Sequence, residues 1–592
     1  MKHYTITYGD TVFEASEYQD KIFDNVKHGS SNMIISAAAG ASKTTTIVNC
    51  MKIIPENLKV LFIAFNRDIV KNIKDRIEKN KNANVMTFHS LGYSILRENN
   101  IIKHEQSPNE FKYRNYIKGN IDEISDYHET KSLGKNRIPY LNNITNLVEY
   151  CRYYLAFTLK EIEEIAKKYG IVPYRDEISV TREVLKWGKN NLDTFDYTDM
   201  IWLPNVLNLT TRKHIYDWIL IDEAQDTSIS EQKIVDKCFG RGSRFIAVGD
   251  DHQKINVWCG ASEEAIDNFK KYGNVETYKL PISYRCPKKI VEVASNFSDN
   301  IIAAPNAIDG EINHDVSPYD PKNGDMVLCR TTAPLVELHL RYNRINKKSY
   351  IRGNEKIREQ YEELIERSNS TMIDKNFLTS DGLFPKLYRM LFDEVERVQK
   401  TYGLDESDAY SYQTVLNLYD NIAGISAISE GLTTVDELKE KIKLVFNGEH
   451  DDAIQLSTVH KAKGLEADNV YILLPSLLPS KLAKKEWEKT TERNLIYVAI
   501  TRAKKTLNYI DEEKTKWCAT NGAFDIVKMR TNIKKAKEKI NYNIENNVTE
   551  SYAITGNTTL RVAKKLGERT QMTSPNNGKK KKGGLGLLEL FN

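Results

Sequence analysis

The chain has 592 residues, of which 40% are hydrophobic, so it is long enough to form several packed domains. Lys and Arg number 85 against 81 Asp and Glu, and this balance excludes a strongly basic chain whose net charge alone would indicate nucleic acid. The seven cysteines occur singly, and no run of about 18 apolar residues could span a membrane. These features predict a reduced, cytoplasmic, multidomain protein without a membrane partner.

Several short apolar runs have the composition of strands buried in a parallel sheet. Four runs predict a first sheet, and a helix is predicted over 44–53, after the first run and a loop of small residues. Three later runs predict a second sheet. The first set is MIIS (33–36), VLFIAF (60–65), WILIDEA (218–224) and FIAVGDD (245–251), and the second set is DMVLCRT (325–331), IQLSTVH (454–460) and NVYILLP (469–475).

Charged segments with a helical pattern interrupt both sets of strands, so the predicted fold class is α/β, with two parallel-sheet domains that each carry a mainly helical insertion. The first sheet domain is predicted over 1–90 and 196–280, with its insertion at 91–195. The second is predicted over 281–354 and 449–510, with its insertion at 355–448. A C-terminal extension, 511–575, and a tail, 576–592, complete the chain as given.

A candidate phosphate-binding loop follows the first predicted strand. The segment SAAAGASKTTT (36–46) matches the pattern GxxxxGK[ST] at Lys43 and Thr44 but has Ala37 and Ser42 at its glycine positions. Backbone N–H groups at a helix N-terminus bind phosphates, a lysine neutralises their charge, and a threonine hydroxyl can hold Mg²⁺. A turn of small residues before a helix is the alternative. Since serine is the smallest polar replacement for glycine, Ser42 is expected to be tolerated.

Two adjacent acids end the apolar run WILIDEA. Asp222 can hold Mg²⁺ together with Thr44, and Glu223 can orient or deprotonate water. An acidic loop start is the alternative. The buried flank of the run favours a functional role for these two side chains.

Six motifs occur in an order and wording that resemble the UvrD/Rep-type DNA helicases of superfamily 1. The resemblance covers about 13–510 and implies two RecA-like P-loop motor domains (1A and 2A), helical insertions (1B and 2B), ATP and Mg²⁺ as cofactors, and 3′ to 5′ movement. TFHS (87–90) and AFN (64–66) are similar to the first DNA-contacting motifs of the F-box DNA helicase branch. The six motifs are AxxGxSKT (37–44), DEAQD (222–226), VGDDHQ…WCGA (248–261), SYRC (283–286), STVHKAKGLE (457–466) and YVAITRA (497–503).

The resemblance implies five catalytic residues. Lys43 and Glu223 keep the roles given above, and Gln253 senses the γ-phosphate. Arg285 and Arg502 would act as arginine fingers from the second motor domain, because a planar guanidinium matches the charge on transferring phosphoryl oxygens.

The resemblance also implies how the rest of the nucleotide is bound. Gln19 would recognise adenine, Tyr284 would stack on the base, and Glu466 would meet the ribose. The implied nucleotide-binding set is Gln19, Gly40, Ala41, Ser42, Lys43, Thr44, Thr45, Tyr284 and Glu466.

The implied DNA contacts include several aromatic residues. Stacking on bases is independent of sequence, which a translocating enzyme needs. Phe65 and Phe88 are as well explained as core residues by their hydrophobicity. The implied set is Phe65, Thr87, Phe88, His89, Trp258 and His460.

Two residues depart from the family pattern beside Trp258. Asn256 stands where the family commonly has tyrosine, and Cys259 where it commonly has arginine. One base platform is therefore expected to be missing, which would weaken the grip on the strand but leave the phosphate chemistry intact.

The tail combines a basic linker, NNGKKKKGG (576–584), with the apolar end LLELF (587–591). Its spacing is similar to that of short peptides by which replication proteins hold a sliding clamp. A clamp or another replication protein is therefore a candidate partner, and a frayed apolar terminus is the alternative. The residues concerned are Leu587, Leu588, Leu590 and Phe591.

Together these features predict an ATP-dependent helicase or translocase that acts on single-stranded DNA and single/double-strand junctions in replication, recombination or repair. One alternative is a translocase that displaces proteins without unwinding. Another is a DNA-binding scaffold with a decayed ATPase, suggested by Ser42, Asn256 and Cys259 but disfavoured by the retained charged groups. A helicase-nuclease would need a further acidic metal cluster, and none is identified from residue 511 onward.

Overall fold

Two separate parallel sheets organise the chain in the computed structural model, as the apolar runs predict. Packing divides the chain into a first unit, 1–310 with 486–501, and a second unit, 311–485 with 502–592. The residues that the structure describes are 3–8, 11–65, 67–76, 82–103, 106–125, 137–173, 176–257, 260–410, 412–447, 452–481, 483–515, 531, 534–541, 548–555 and 558–565.

The elements up to residue 310 are short strands and helices, with a succession of helices from α4 to α9. In chain order they are β1 (Thr5–Tyr8), β2 (Thr11–Glu14), α1 (Glu17–His28), β3 (Asn32–Ala37), α2 (Lys43–Ile53), β4 (Val60–Ile63), α3 (Arg67–Arg76), β5 (Ala83–Met86), α4 (Phe88–Glu98), α5 (Lys112–Ile124), α6 (Arg137–Tyr154), α7 (Leu159–Tyr169), α8 (Glu177–Asn190), α9 (Tyr197–Val206), β6 (Tyr216–Ile221), α10 (Ile229–Asp236), β7 (Phe239–Gly249), α11 (Ala265–Lys270), β8 (Val275–Leu280), β9 (Ile282–Ser283), α12 (Lys288–Ala294) and β10 (Ile302–Ala303).

The elements after residue 310 are again strands and helices, with a succession of helices from α14 to α18. They are β11 (Glu311–Val316), β12 (Met326–Cys329), α13 (Ala333–Arg344), β13 (Ser349–Ile351), α14 (Asn354–Ser368), α15 (Leu383–Tyr402), α16 (Glu406–Ala409), α17 (Gln413–Ile428), α18 (Val435–Val445), β14 (Ile454–Thr458), β15 (Ala467–Ile472), α19 (Glu486–Ile500), β16 (Ala503–Ile510), β17 (Val548–Thr555) and β18 (Thr558–Lys565).

The first sheet has the strand order β5–β4–β6–β7–β3–β8, and all of its pairings are parallel. Ser36 of β3 pairs with Gly249 of β7, and Ile221 of β6 pairs with Ala247 of β7. The carboxyl ends of these three strands therefore lie side by side at one edge. Ligands of open α/β sheets bind beyond the carboxyl ends of their strands, so this edge is where a site is expected.

The predicted strands of the first sheet are its central ones. The strand VLFI of β4 is buried throughout, as expected for a strand that is covered on both faces. Sequence reasoning missed β5 and β8, which form the two edges of the sheet. Both are partly exposed and carry polar residues, so neither has the continuous apolar run by which a buried strand is recognised.

The second sheet has the order β11–β16–β15–β12–β14–β13, again with all pairings parallel. The three predicted strands correspond to β12, β14 and β15, which are adjacent in its middle. The other three were missed. The strand β16 carries two lysines, and β13 is only three residues long, so neither has a continuous apolar run.

Each sheet contains one long helical segment between two of its strands. Helices α4 to α9 lie between β5 and β6, and helices α14 to α18 lie between β13 and β14, so each sheet carries a mainly helical insertion, as the predicted fold class requires. Within the described ranges, no helix is both long and apolar enough to cross a bilayer. The strands β17 and β18 pair antiparallel in the C-terminal extension, and the predicted tail, 576–592, lies outside the described residues.

The division between the units differs from the predicted one, because 281–310 and 486–501 pack with the first unit. Hydrogen bonds hold the first of these segments there. The Tyr284 N–H donates to the Gly40 carbonyl oxygen at 3.0 Å, and the Cys286 thiol contacts the Thr501 carbonyl oxygen at 3.7 Å. Chain order alone placed both segments with the second sheet, since the strands of that sheet flank 486–501 in the sequence.

A buried ionic network joins the helices of the first helical segment. The Arg152 guanidinium of α6 lies 2.7 Å from Asp196 and 3.2 Å from Asp199, and the Lys112 ammonium of α5 lies 2.7 Å from Asp199. The Arg152 and Lys112 side chains are 2% and 0% exposed. Loss of one partner would leave a buried charge without compensation, so these groups fix α5, α6 and the start of α9 together.

The contact between α4 and α9 gives a stability prediction. A Cβ atom on Gly92 of α4 would lie 1.9 Å from the Met200 carbonyl oxygen of α9, which is backbone and cannot rotate away. We expect Gly92→Ala to lower the free energy of unfolding by about 1 to 3 kcal/mol, as overpacking does, and urea denaturation measures this.

Gly119→Ala is the matched control. Gly119 lies on the exposed side of α5, where a Cβ meets nothing within 4 Å. Because alanine has the higher helix propensity, this change should raise the free energy of unfolding by about 0.5 to 1 kcal/mol. Equal shifts in the two variants would contradict the close α4–α9 contact.

Candidate nucleotide-binding site and DNA-contact residues

The loop between β3 and α2 passes very close to the SYRC segment. Gly40 has φ +71°, and a Cβ there would lie 2.6 Å from the Arg285 Cβ and 2.9 Å from the Ser283 hydroxyl. The Tyr284 N–H donates to the Gly40 carbonyl oxygen at 3.0 Å. Only glycine fits this position, because both the backbone conformation and the close approach exclude a side chain. The loop backbone is therefore held against the residues that follow β8.

Ser42 ends the loop in the left-handed conformation, with φ 57° and ψ 36°. Its carbonyl oxygen accepts hydrogen bonds from the Thr46 N–H at 2.9 Å and the Thr46 hydroxyl at 3.0 Å, which begin α2. A non-glycine residue in this conformation costs about 1 to 2 kcal/mol. The preference of the phosphate-loop pattern for glycine here thus has a backbone cause in addition to the space that a phosphate needs.

The predicted Mg²⁺ ligands meet in the structure. The Thr44 hydroxyl donates to the Asp222 carboxylate at 2.6 Å, and the Lys43 ammonium lies 3.7 Å from the Glu223 carboxylate. Burial, and then the neighbouring Glu223 charge, raise the pKa of Asp222 from its ordinary value to about 6. A hydroxyl and a carboxylate at this separation offer the hard oxygen ligands that Mg²⁺ prefers, so the residues fit that ion.

Hydrogen bonds link the acids after β6 to the loop after β7. The Gln225 amide donates to Glu223 at 2.5 Å and accepts from the Asp250 N–H at 3.0 Å. The Asp250 carboxylate in turn accepts from the Gln253 amide at 2.6 Å. Gln253, the predicted γ-phosphate sensor, is buried. Asp250 and Gln225 connect it by hydrogen bonds to the predicted catalytic Glu223.

A small pocket brings together the two predicted base-binding residues. Gln19 accepts hydrogen bonds from Ser16 in a capping box at the start of α1, and its amide donates to the Thr46 hydroxyl at 3.0 Å. Tyr284 is 52% exposed, so its ring has a free face for stacking. The pocket is lined by Ser16, Tyr18, Gln19, Ala41, Leu280, Pro281, Ile282 and Tyr284.

Sequence reasoning missed three residues that hold this site. Asp250 is buried and orients Gln253, and burial raises the pKa of the Asp250 carboxyl group. The Tyr497 hydroxyl accepts from the Ala39 N–H of the phosphate loop at 3.0 Å, and the Asn494 amide donates to the carbonyl oxygens of Asp251 and Lys254. Asp250 and Tyr497 stand inside the quoted motifs VGDDHQ and YVAITRA, so the motifs contained a signal for both.

Three predicted site residues belong to the second unit. Arg502 immediately precedes β16, is 1% exposed, and donates to the Leu465 carbonyl oxygen at 3.1 Å. The Glu466 carboxylate lies 3.8 Å from the Lys504 ammonium. Burial, and then the Arg330 charge, lower the pKa of His460 well below its ordinary value, which keeps the imidazole neutral. Their predicted roles stay predictions.

The predicted DNA contacts of the first unit differ in exposure. Phe65, after β4, is 49% exposed. Phe88 is 3% exposed and packs in the hydrophobic core, so the prediction that its ring stacks on DNA is corrected: it has no free face. The Thr87 hydroxyl caps α4 by accepting from the Ser90 N–H at 3.1 Å, and burial lowers the pKa of His89.

The loop that follows Gln253 is only partly described. Trp258 and Cys259 lie outside the described residues, so the stacking role of Trp258 stays a prediction. The Asn256 amide donates to the Asp226 carboxylate at 3.1 Å. The residue at the family's tyrosine position therefore bonds to the DEAQD motif.

A phosphate loop after β3, adjacent acids after β6 and two all-parallel sheets together define a P-loop nucleotide-binding protein with RecA-like domains. Two family models match most of the chain: the UvrD/REP helicase N-terminal domain over 18–273 and the UvrD-like helicase C-terminal domain over 335–514. The chain belongs to the UvrD/Rep family of helicases.

Curated relatives carry helicase names. The chain is 26% identical over 292 residues to the ATP-dependent DNA helicase Rep of Buchnera aphidicola, a match that covers 45% of this chain and 43% of that protein. It is 23% identical over 595 residues to a probable DNA helicase II homolog of Mycoplasma capricolum, covering 80% and 81%. The chain thus spans less than half the length of the Rep protein that it matches, and a much larger share of the second relative.

Ser42 gives a testable prediction at the phosphate loop. Replacing it by glycine removes the penalty of its φ of 57°, so Ser42→Gly should raise the free energy of unfolding by about 1 kcal/mol, measured by urea denaturation. The control is Ser42→Ala, which removes the hydroxyl but keeps the Cβ and should give no such gain. A gain of equal size in both variants would show that the hydroxyl, and not the backbone, is the cause.

Proposed function

We propose that the chain is an ATP-dependent DNA helicase or translocase that moves on single-stranded DNA. The observation that carries this proposal is the pairing of Thr44 with Asp222 and of Lys43 with Glu223 at the phosphate loop. The membership of the chain in the UvrD/Rep family and the helicase names of its relatives support DNA as the substrate.

Nucleotide binding is assigned to the first unit. ATP, when bound, would supply the phosphoanhydride bond that is cleaved, and Mg²⁺ would supply positive charge that polarises this bond. Thr44 and Asp222 would hold Mg²⁺, and the Lys43 ammonium would neutralise phosphate charge at the N-terminus of α2. Gln19 and Tyr284 would bind the base in the pocket that they share.

Hydrolysis is assigned to Glu223. One of its carboxylate oxygens accepts from Gln225, which orients the group, and the other faces Lys43. A positioned carboxylate can accept a proton from an attacking water molecule. Gln253, held by Asp250 beside it, is suited to respond to the γ-phosphate. Arg285 follows Tyr284 next to the phosphate loop and is the proposed arginine finger of this unit.

The second unit is proposed to contribute Arg502 as a further arginine finger and Glu466 at the ribose.

DNA is proposed to contact Phe65 and His89. The family resemblance adds Thr87, Trp258 and His460 as further proposed contacts. Exposed Phe65 supports stacking on bases, because a half-exposed aromatic ring has a free face. Movement from 3′ to 5′ is part of the proposal and rests on the family alone.

Further parts of the proposal concern partners and place. Single/double-strand junctions in replication, recombination or repair are the proposed substrates. A sliding clamp is the proposed partner of Leu587, Leu588, Leu590 and Phe591, which lie outside the described residues. A cytoplasmic location is consistent with the cysteines that the structure describes, all of which are buried and outside any disulfide bond.

Steady-state ATP hydrolysis tests the proposal. We expect single-stranded DNA to stimulate hydrolysis strongly, and Glu223→Gln to reduce the stimulated rate by at least about 100-fold, since a positioned general base contributes that much. The control is Glu292→Gln, an exposed acid in α12, which should leave the rate unchanged. If the folded chain binds DNA but hydrolyses no ATP, the proposal of an enzyme is wrong, and the alternative of a DNA-binding scaffold with a decayed ATPase remains.

Partial-duplex substrates with single-stranded tails of each polarity separate the remaining candidates. Unwinding only with a 3′ tail supports a helicase of the proposed direction. DNA-stimulated hydrolysis that removes a bound protein from single-stranded DNA, without unwinding either substrate, would identify the protein-displacing translocase instead.

A further inference from the structure

Two tyrosines of the first helical segment hold the loop 256–261, which follows Gln253. The Tyr169 hydroxyl of α7 donates to the Val257 carbonyl oxygen at 2.9 Å. The Tyr154 hydroxyl at the end of α6 donates to the Ala261 carbonyl oxygen at 3.2 Å. The two hydroxyl oxygens lie 2.9 Å apart, so the two hydroxyl groups are in direct contact. The loop is thus fixed at both ends by one pair of side chains.

The tyrosine pair is itself held rigidly. The Tyr169 ring stacks on Tyr150 with centroids 3.9 Å apart and planes 2° apart. The Lys168 ammonium lies 4.9 Å from the centroid of the Tyr154 ring and 2.5 Å from the Glu263 carboxylate, just beyond the loop. A stacked ring and a cation over the second ring restrict both side chains, so their hydroxyl groups present fixed donors.

The middle of the loop also fits closely against α6. Gly260 has φ +98°, and a Cβ there would lie 2.5 Å from the Tyr153 ring. Within the loop, the Gly260 N–H donates to the Val257 carbonyl oxygen at 3.1 Å, and the Ala261 N–H to the Asn256 carbonyl oxygen at 3.3 Å. Hydrogen bonds therefore join 256–257 to 260–261, and Gly260 lies against the Tyr153 ring of α6.

On its other side the same loop is bonded to Asp226 and Thr227, which follow the predicted catalytic acids Asp222 and Glu223. Asn256 donates to the Asp226 carboxylate at 3.1 Å, and the Ser262 N–H donates to the Thr227 carbonyl oxygen at 3.0 Å. The Asp226 N–H donates to the Glu223 carbonyl oxygen at 3.0 Å. Hydrogen bonds thus connect the loop to the tyrosines on one side and to Asp226 and Thr227 on the other, and the Asp226 N–H bonds to the backbone of Glu223, the residue proposed as catalytic base.

We propose that Tyr154 and Tyr169 are positioning residues that set how strongly DNA stimulates ATP hydrolysis. This inference rests on the proposed function, because the loop they hold carries Trp258, a proposed DNA contact. The tyrosines touch neither the phosphate loop nor the acids, so they should affect the response to DNA rather than basal hydrolysis. They hold the loop from a distant segment of the chain, through its Val257 and Ala261 carbonyl oxygens.

The test uses the full chain with Tyr154→Phe, Tyr169→Phe and the double variant, which keep the rings and remove only the hydroxyl groups. The probe is oligothymidylate, and ATP hydrolysis is measured without it and across its concentration. We expect the half-maximal oligothymidylate concentration to rise about fivefold for Tyr169→Phe and about tenfold or more for the double variant, with basal hydrolysis within about twofold.

Two further variants control the result. Tyr116→Phe removes a hydroxyl from a ring that stacks on Trp187 in the same helical segment, and it should leave the response to DNA unchanged. Gly260→Ala disturbs the same contact from the loop side, through the clash with Tyr153, and should raise the half-maximal concentration as the tyrosine variants do.

The outcomes separate this inference from the proposed function. A response to oligothymidylate that is normal in the double variant would overturn the inference alone. Equal losses of basal and stimulated hydrolysis, with a lower urea midpoint, would assign the tyrosines a merely structural role and also overturn it. If oligothymidylate does not stimulate the unsubstituted chain, the proposed function fails, and the inference fails with it.

Discussion

The buried carboxylate of Asp222 is the group on which the rest of the ATP site depends. It is 1% exposed, and burial together with the neighbouring Glu223 charge raises its pKa to about 6. Burying such a charge costs several kcal/mol unless other groups compensate for it. Here the Thr44 hydroxyl and the positive charge of Lys43 both lower that pKa. Both come from the start of α2, so the phosphate loop and the acids stabilise each other's position before any ligand is present.

This compensation requires that β3 and β6 end at the same edge of the sheet. The parallel register through β7 provides it, because Ser36 pairs with Gly249 and Ala247 pairs with Ile221. The chain then leaves both strand ends through strained residues, since Ser42 and Glu223 have φ 57° and 52°. Left-handed backbone at non-glycine residues persists only where the surroundings fix it, and it is typical of functional sites. The hydrogen bonds around Thr46 and Gln225 are those surroundings.

The sequence predicted much of this arrangement, for identifiable reasons. Continuous apolar runs mark strands buried on both faces, so the central strands were found, whereas partly exposed β5 and β8 have no such run. The pairing of Lys43 and Thr44 with the acids followed from motif chemistry. Gln19 could be connected with the base only through family resemblance, because it lies on a separate helix before β3 and its capping role alone explains its presence.

Other features depend on packing that no local pattern contains. Phe65 and Phe88 are equally hydrophobic, yet the first is 49% exposed and the second 3%. The difference arises because α4 turns the Phe88 ring into the core that also includes residues of β4 and β6, while Phe65 follows the end of β4. Likewise, the assignment of 281–310 to the first unit depends on the close approach of Gly40 to Arg285, a contact between residues far apart in the sequence.

The loop 256–261 shows how a departure from a family pattern can be compensated from outside the motif. Compared position by position with the family, Asn256 and Cys259 predict that one base platform is missing and that the grip on the strand is weaker. In the structure Asn256 bonds to Asp226, and the two loop carbonyl groups are held by tyrosines about a hundred residues earlier in the chain. Coupling between two sites is reciprocal in binding free energy. If the helical segment stabilises one position of the loop, a ligand that binds this position of the loop also stabilises the helical segment in the corresponding state. The grip on DNA is then a property of the loop and the insertion together.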